Sequence, residues 1–284
     1  MLMITGGSGF IGRHLCSELS KKGVSLVNYD LLEGQDIRNL CQLDAFFEQN
    51  QITEVVHLAA LAGVRRGNTY PEEYINTNIV GTNNVVRMCE KYKVEHLINY
   101  SSSSVYGNTK PPVTESFVKK PISIYGITKL AAERIVESAY IRQKTNIIPF
   151  TVYGENGRKD EVIYKWLEQH KNHKPITVYG RGGSCRGYVY VKDLVKTTVK
   201  ILEEHRGHWK YESFNLGGSE IIKISDLVHI FIDMIPTIQV DYMKMPREDI
   251  KKNFADTTKA GKMLSFYPEK KFKKVVKNLI KRRD

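Results

Sequence analysis

Short apolar runs and one-faced helical patterns take turns along the first 150 or so residues. LMIT (2–5), SLVNYD (25–30) and EVVHLAA (54–60) have the bulk of buried strands, while FIGRHLCSELSKKG (10–23) and LCQLDAFFEQN (40–50) space their apolar residues as helices do. The alternation continues through a long helix from about Glu72 to Lys93, a strand HLINYSS, a helix from about Ile124 to Gln143 and a strand NIIPFTVYG. Strands alternating with helices predict parallel βαβ units in a doubly wound α/β sheet, because a parallel neighbour is reached only through a crossover. After Gly154 the texture changes to a polar segment ENGRKDE, a helix around Val162 to His170 and the glycine-rich GRGGSCRG. The pattern therefore predicts a first domain over 1–153, to which a segment of about 187–217 returns, and a smaller α/β region over 154–284. Near the C-terminus, Phe272, Val275, Val276, Leu279 and Ile280 fall on one helical face. That stripe predicts a helix packed on the second region with its lysines in water, the alternative being a membrane-surface or partner helix.

Composition narrows the picture. The chain has 284 residues, 41% hydrophobic and 26% charged, enough to bury a full core. Lys and Arg number 43 against 31 acids, a net +12 that favours anionic partners such as phosphates, nucleic acid or acidic lipid without choosing among them. No nucleic-acid recognition motif accompanies the lysines. Cys16, Cys41, Cys89 and Cys185 form no CxxC pair and join no histidine cluster, so neither a metal site nor a disulfide framework is expected, and a reducing cytosol is. No apolar run approaches the ~20 residues of a membrane span, and the N-terminus breaks into glycines before a signal-peptide core could form. A cytoplasmic protein with neither a membrane nor a nucleic-acid partner is expected.

Two constellations carry chemistry. In TGGSGFIG, Gly6, Gly9 and Gly12 follow a strand and open a helix, where glycines let the backbone approach a pyrophosphate and the helix N-terminus offers free N–H groups. Asp30 stands 18 residues after Gly12 at a strand end, where a carboxylate can accept both hydroxyls of an adenosine ribose and repel a 2′-phosphate. No basic residue follows it in LLEG, which favours NAD over NADP. The second constellation is Tyr125 and Lys129, four residues apart on one helical face, with the serine run SSSSVYG upstream. A tyrosine near pKa ~10 is a poor base, but an adjacent ammonium favours the phenolate and is expected to lower that value.

Together TGGSGFIGRHL, VVHLAALAGVR, NTNIVGTNNV, SSSSVYG, YGITKLAAE, VYG and SCRGYVYVKD resemble the extended short-chain dehydrogenase/reductases that act on nucleotide sugars, over nearly the whole chain. The resemblance implies a Rossmann domain holding NAD, a C-terminal region holding a nucleoside diphosphate sugar, and transient oxidation at a sugar carbon, usually C4. By position it implies Ser102 as the hydroxyl of a triad with Tyr125 and Lys129, Asp36 and Ile37 beside the adenine, and Phe10, Ile11, Leu58, Ala59, Ala60 and Asn78 against the cofactor. No metal is implied.

The next two positions discriminate chemistry within that family. Dehydratases carry Asp and Glu there, whereas this chain has Ser103 and Ser104, and a hydroxyl cannot act as a carboxylate base at neutral pH. A 4-epimerase of a UDP-sugar is therefore expected. A 4-keto nucleotide-sugar reductase or a dehydratase is the sibling alternative, and an NAD-binding regulatory protein the non-enzymatic one. Ser103, Ser104 and Thr151 could solvate a sugar carboxylate, which favours a UDP-hexuronic acid over UDP-glucose or UDP-galactose. Arg158 and Arg186 resemble nucleotide and diphosphate contacts, and Arg247 and Asp249 sit where relatives bind uridine. Pro149, Glu155 and Gly187 depart from the family pattern. Helices 72–93 and 124–143 resemble the pair that forms an intersubunit bundle, so a homodimer burying Val85, Leu130 and Ile135 between chains is expected.

Overall fold

In the computed structural model, which describes residues 1–246, 250–269 and 271–282, six short strands lie in parallel. They are β1 (Leu2–Thr5), β2 (Leu26–Tyr29), β3 (Glu54–His57), β4 (His96–Tyr100), β5 (Gln143–Pro149) and β9 (Tyr211–Leu216), in the order β2-β1-β3-β4-β5-β9. Every residue of β1, β4 and β5 is buried, as a sheet covered on both faces requires. On one face α1 (Phe10–Lys21) packs with α8 (Val191–Glu204), and on the other α2 (Leu40–Asn50) and α6 (Ile124–Ser138) pack with α5 (Thr82–Lys91). Leu15 and Leu19 belong to the first core, and Leu43, Phe47 and Val85 to the second. This is a Rossmann-type doubly wound α/β fold.

Two predicted elements break where the backbone changes course. The helix expected to run to Gln143 ends at Ser138, because Ala139 is extended (ψ 146°) and the fully buried β5 starts at Gln143. The strand expected over 146–154 is two strands: the chain leaves the main sheet at Phe150, and β6 (Thr151–Tyr153) pairs with β8 (Cys185–Tyr190) in a second sheet. There β10 (Ile221–Lys223) and β12 (Lys252–Asn253) flank β8, while β7 (Ile176–Tyr179) pairs separately with β11 (Val240–Met243). Around these sheets stand α7 (Val162–Lys171), α9 (Ile224–Met234), α10 (Thr258–Leu264) and α11 (Phe272–Lys281). Phe272 of α11 lies 4.9 Å from the Tyr153 ring and 4.6 Å from that of Tyr188, so the apolar stripe of this helix is spent on the second sheet.

The long helix predicted over 72–93 is interrupted. After α3 (Val64–Thr69) and α4 (Pro71–Ile75), residues Asn76–Gly81 form a π turn before α5 begins. Among the described residues no helix is long and apolar enough to cross a membrane.

Candidate active site

The glycine loop joins β1 to α1. Gly6 adopts φ +74°, a left-handed conformation that a side chain resists, and a Cβ there would sit 2.7 Å from the Ala59 amide nitrogen. At Gly12 a Cβ would meet the Gly6 carbonyl at 2.2 Å, so the opening of the helix presses directly on the loop. Gly9 is the N-cap of α1 and supplies no side-chain cap, which leaves the first helical amides, those of Phe10, Ile11 and Gly12, directed outward. Asp30 is buried and accepts from Ser8 N through Oδ2 and from Leu32 N through Oδ1, both at 2.9 Å. A crowded loop, uncapped amides and a buried carboxylate are the donor and acceptor set of a dinucleotide's pyrophosphate and ribose, so these residues fit NAD.

Three cofactor residues read from the resemblance have other engagements. Asn78 is fully buried: its Oδ1 accepts from Leu61 N at 2.8 Å, and its Nδ2 donates to Leu61 O at 2.9 Å and Thr128 Oγ1 at 3.0 Å. Both amide hydrogens are used, so Asn78 braces the π turn against α6 and has no donor left for a ligand. Asp36 turns its carboxylate to the Arg38 guanidinium, which holds it below the ordinary carboxylate range. Ile37 is buried against Gly81. Leu58, Ala59 and Ala60 are half-buried along the segment that leaves β3.

The second constellation gathers at the carboxyl edge of the sheet, where ligands of open α/β folds bind. Ser102 follows β4, and its Oγ accepts from Ser104 N at 3.2 Å, capping a short turn. Helix α6 is capped by Ser123, whose Oγ accepts from Gly126 N at 3.1 Å. A Cβ on Gly126 would stand 2.6 Å from the Ser104 carbonyl, and that close approach brings Tyr125 to Ser102. The Tyr125 ring meets Tyr74 edge-on at 6.2 Å. Lys129 is 3% exposed, and burial brings its pKa down to about 8, against the pull of Glu133. A buried ammonium of this kind suits a hydroxyl-rich ligand such as a ribose.

The phenol does not stand where its spacing from Lys129 predicts. Burial raises the Tyr125 pKa, and the groups that pull it down are Arg158 and the Ser102 hydroxyl, with Glu161 and Asp160 opposing them. The expected lowering fails because burial outweighs the cationic pull, and the cation that does pull comes from the second region. Arg158 donates Nε and Nη2 to Asp160 at 3.0 and 2.8 Å, and Nη2 to Glu161 at 3.1 Å. Burial works against its charge, and the two carboxylates more than offset that. Arg186 donates to the carbonyls of Cys185 and Lys251 at 2.9 and 3.4 Å. Ser103 accepts from Asn253 Nδ2 at 2.9 Å, while Ser104, in the short turn after β4, and Thr151, at the start of β6, are half-buried. Arg247 and Asp249 lie outside the described residues.

Sequence reasoning missed Glu133, buried on α6 four residues beyond Lys129, where it accepts from Ser101 Oγ and pairs with Lys119. The same helical spacing that flagged Tyr125 and Lys129 would have found it. It also missed His57, whose Nδ1 meets Thr5 Oγ1 at 2.7 Å and whose Nε2 meets Thr82 Oγ1 at 2.9 Å. Burial, and then the Lys129 charge, lower its pKa to about 3, so it is neutral. Nothing in its local sequence marks it.

Comparison with known proteins sets this geometry in context. The family model described as the NAD dependent epimerase/dehydratase family matches residues 2–217. The chain is 30% identical to a UDP-glucuronate 4-epimerase of Thermodesulfobacterium geofontis, across 94% of this chain and 91% of that one. A UDP-glucuronic acid 4-epimerase from Bacillus cereus, solved with UDP-glucuronic acid and NAD, superposes with a TM-score of 0.90 at 28% identity and 99% coverage of both chains. MoeE5, solved with UDP-glucose and NAD, gives the same TM-score and identity over 99% of this chain and 97% of the other.

Proposed function

The chain belongs to the NAD-dependent epimerase/dehydratase family, and within it we propose a 4-epimerase of a UDP-sugar, with a UDP-hexuronic acid as the preferred substrate. The observation that carries the reading is Ser102, Tyr125 and Lys129 assembled at the carboxyl edge of the sheet, with hydroxyls at Ser103 and Ser104 where elimination would need a carboxylate. Bound in the cradle of Gly6, Gly9, Gly12 and Asp30, NAD supplies a place for a hydride to go and return from. The chain's own residues manage the oxygen. Ionised as the phenolate, against the burial that raises its pKa, Tyr125 Oη takes the proton of the C4 hydroxyl and gives it back, while Ser102 Oγ hydrogen-bonds the same oxygen and keeps it in line. Lys129 stays charged below about pH 8 and orients ribose hydroxyls. With no carboxylate at 103 and 104, elimination across C5 and C6 lacks its acid and base, and the ketone, flat at C4, is reduced again from either face.

Support for a hexuronic acid comes from the hydroxyl residues themselves, Ser104 in the turn after β4 and Thr151 opening β6 after β5, with Ser103 held by Asn253. Hydroxyls and amides there match a carboxylate better than a hydroxymethyl group. The reading includes a homodimer through Ile75, Val80 and Ile127, which are exposed on α4, the π turn and α6. Val85, expected on that surface, is instead fully buried in the core. A cytosolic setting suits four free cysteines. The deciding experiment incubates the purified protein with UDP-glucuronate, UDP-galacturonate, UDP-glucose and UDP-galactose without added cofactor and reads products by NMR. Interconversion at C4 without net consumption of a reductant is expected. Stoichiometric oxidation of added NADH would indicate a reductase, and loss of water a dehydratase.

A further inference from the structure

We propose that Glu33 is a second carboxylate guarding the adenosine ribose, so that exclusion of a 2′-phosphate is divided between two acids and not left to Asp30; the inference rests on the reading of Asp30 as the ribose partner. Glu33 closes the 3-10 turn Leu31–Glu33 immediately after Asp30, and Gly34, at φ +78°, turns the chain back. That reversal lays Glu33 over the glycine loop. Its Oε1 accepts from the Asn28 amide and from Ser8 Oγ, the latter at 3.3 Å. Asn28 in turn holds Gly7 N at 2.9 Å through Oδ1 and reaches Ser8 Oγ at 3.1 Å through Nδ2. Ser8 is thus gripped twice, by Asp30 at its backbone N–H and by Glu33 at its hydroxyl. Both acids act on the ground beneath the loop. After burial, Glu33 is the strongest cause raising the Cys16 thiol pKa, and Asp30 also contributes.

Arg38 is neutralised by Asp36, whereas Arg13, bonded through Nε to the Ser8 carbonyl at 2.6 Å, keeps its charge and offsets part of this field. A 2′-phosphate would bring nearly two negative charges beside Asp30 and meet Glu33 at once. Because Glu33 is exposed, solvent and salt weaken the repulsion, and its share is about fivefold in affinity at low ionic strength.

The test is titration calorimetry of NAD and NADP against the whole protein and its Glu33→Gln, Glu33→Lys and Asp30→Ala variants, each first freed of any cofactor it carries and checked for an unchanged melting profile. Glu33→Gln should leave NAD affinity within about twofold and tighten NADP about fivefold at low salt, with the gain fading at high salt. Glu33→Lys should tighten NADP further. Equal weakening of both cofactors in Glu33→Gln would show a loop brace with no part in discrimination and overturn the proposal. So would an NAD to NADP ratio unmoved by either Glu33 variant. If the parent protein binds neither cofactor, the reading of the glycine cradle itself falls, and the proposal with it, a result separate from the other two.

Discussion

The cofactor cradle and the sugar-facing edge are built from different materials. The cradle is backbone: a left-handed Gly6, a helix start pressed on the loop at Gly12, uncapped amides, and one carboxylate at a strand end. The sugar-facing edge is side chains from two regions, in which Arg158 is already paired with Asp160 and Glu161 and Ser103 with Asn253. Backbone sites tolerate few residue types, so they leave sharp marks in a sequence. Side-chain sites can be assembled from many residues at many separations, and their partners are settled only by folding. The comparison teaches that the sharp mark of the cofactor site and the faint mark of the sugar site have one physical origin.

The most severe test strikes the point where the two regions meet. Tyr125→Phe removes the single proton-accepting oxygen while leaving the ring against Tyr74, so turnover should fall by ~10²–10⁴ with NAD affinity nearly unchanged. Steady-state rates beside calorimetry would reveal it, and a rate near that of the parent would remove Tyr125 from the chemistry.

Next in size is Thr151→Val, which deletes one hydroxyl at nearly constant shape. A hydrogen bond to a charged group is worth about 1.5–3 kcal/mol, so kcat/KM for the uronates should drop roughly tenfold or more. UDP-glucose and UDP-galactose should suffer much less. Equal losses for both classes would confine Thr151 to positioning the ring. A parent enzyme that turned over only the neutral sugars would sink the hexuronate preference.

A smaller, several-fold effect is expected on the cradle side. Asp30→Ala should narrow the gap between NAD and NADP binding by weakening the first and relieving the second. Calorimetry showing the parent already preferring NADP would contradict the ribose assignment.

The mildest test is pH. Lys129 has a folded pKa of about 8, below the ordinary 10.5, so at pH values between the two the unfolded chain holds more protons at this residue than the folded one. Its burial penalty is therefore fully present below pH 8 and is relieved as pH rises towards 10.5. Over that window the Lys129→Met variant should lose its stability advantage relative to the parent, while the parent's single-turnover rate declines through about pH 8. Parallel melting curves for the two proteins at every pH would refute the assignment.

How much of this was legible in the sequence follows from the same contrast. Gly6, Gly12 and Asp30 were readable because chain geometry dictates them, and Tyr125 with Lys129 because helical spacing does. The protonation of the phenol was not readable. It depends first on burial, which raises the pKa, and then on the opposing pull of Arg158, 33 residues away in a polar segment whose fold no periodicity announces. The end of α6 at Ser138 escaped because Ala139, Tyr140, Ile141 and Arg142 include no Gly or Pro to stop a helix, while tertiary burial of Gln143 to Pro149 makes a strand begin there. Asn78 enters only through the resemblance, which shows which residue stands there and not which hydrogens its side chain gives to Leu61 and Thr128.

Val85 was misplaced for a reason that lies in the π turn at Asn76–Gly81. An α-helix turns about 100° per residue, so a π turn, which takes in one residue more than an α turn, rotates everything beyond it by about that angle. The two halves of the segment are therefore out of phase: what faces outward before Asn76 does not predict what faces outward after Gly81. One inserted residue gives a single helix two independent faces, one closing over the site with Asn78 and one packing on the sheet with Val85 and Val86. Deleting a single residue from 76–81 would return the helix to one phase and force a choice between those faces, and a melting curve indistinguishable from the parent's would show that no such conflict exists.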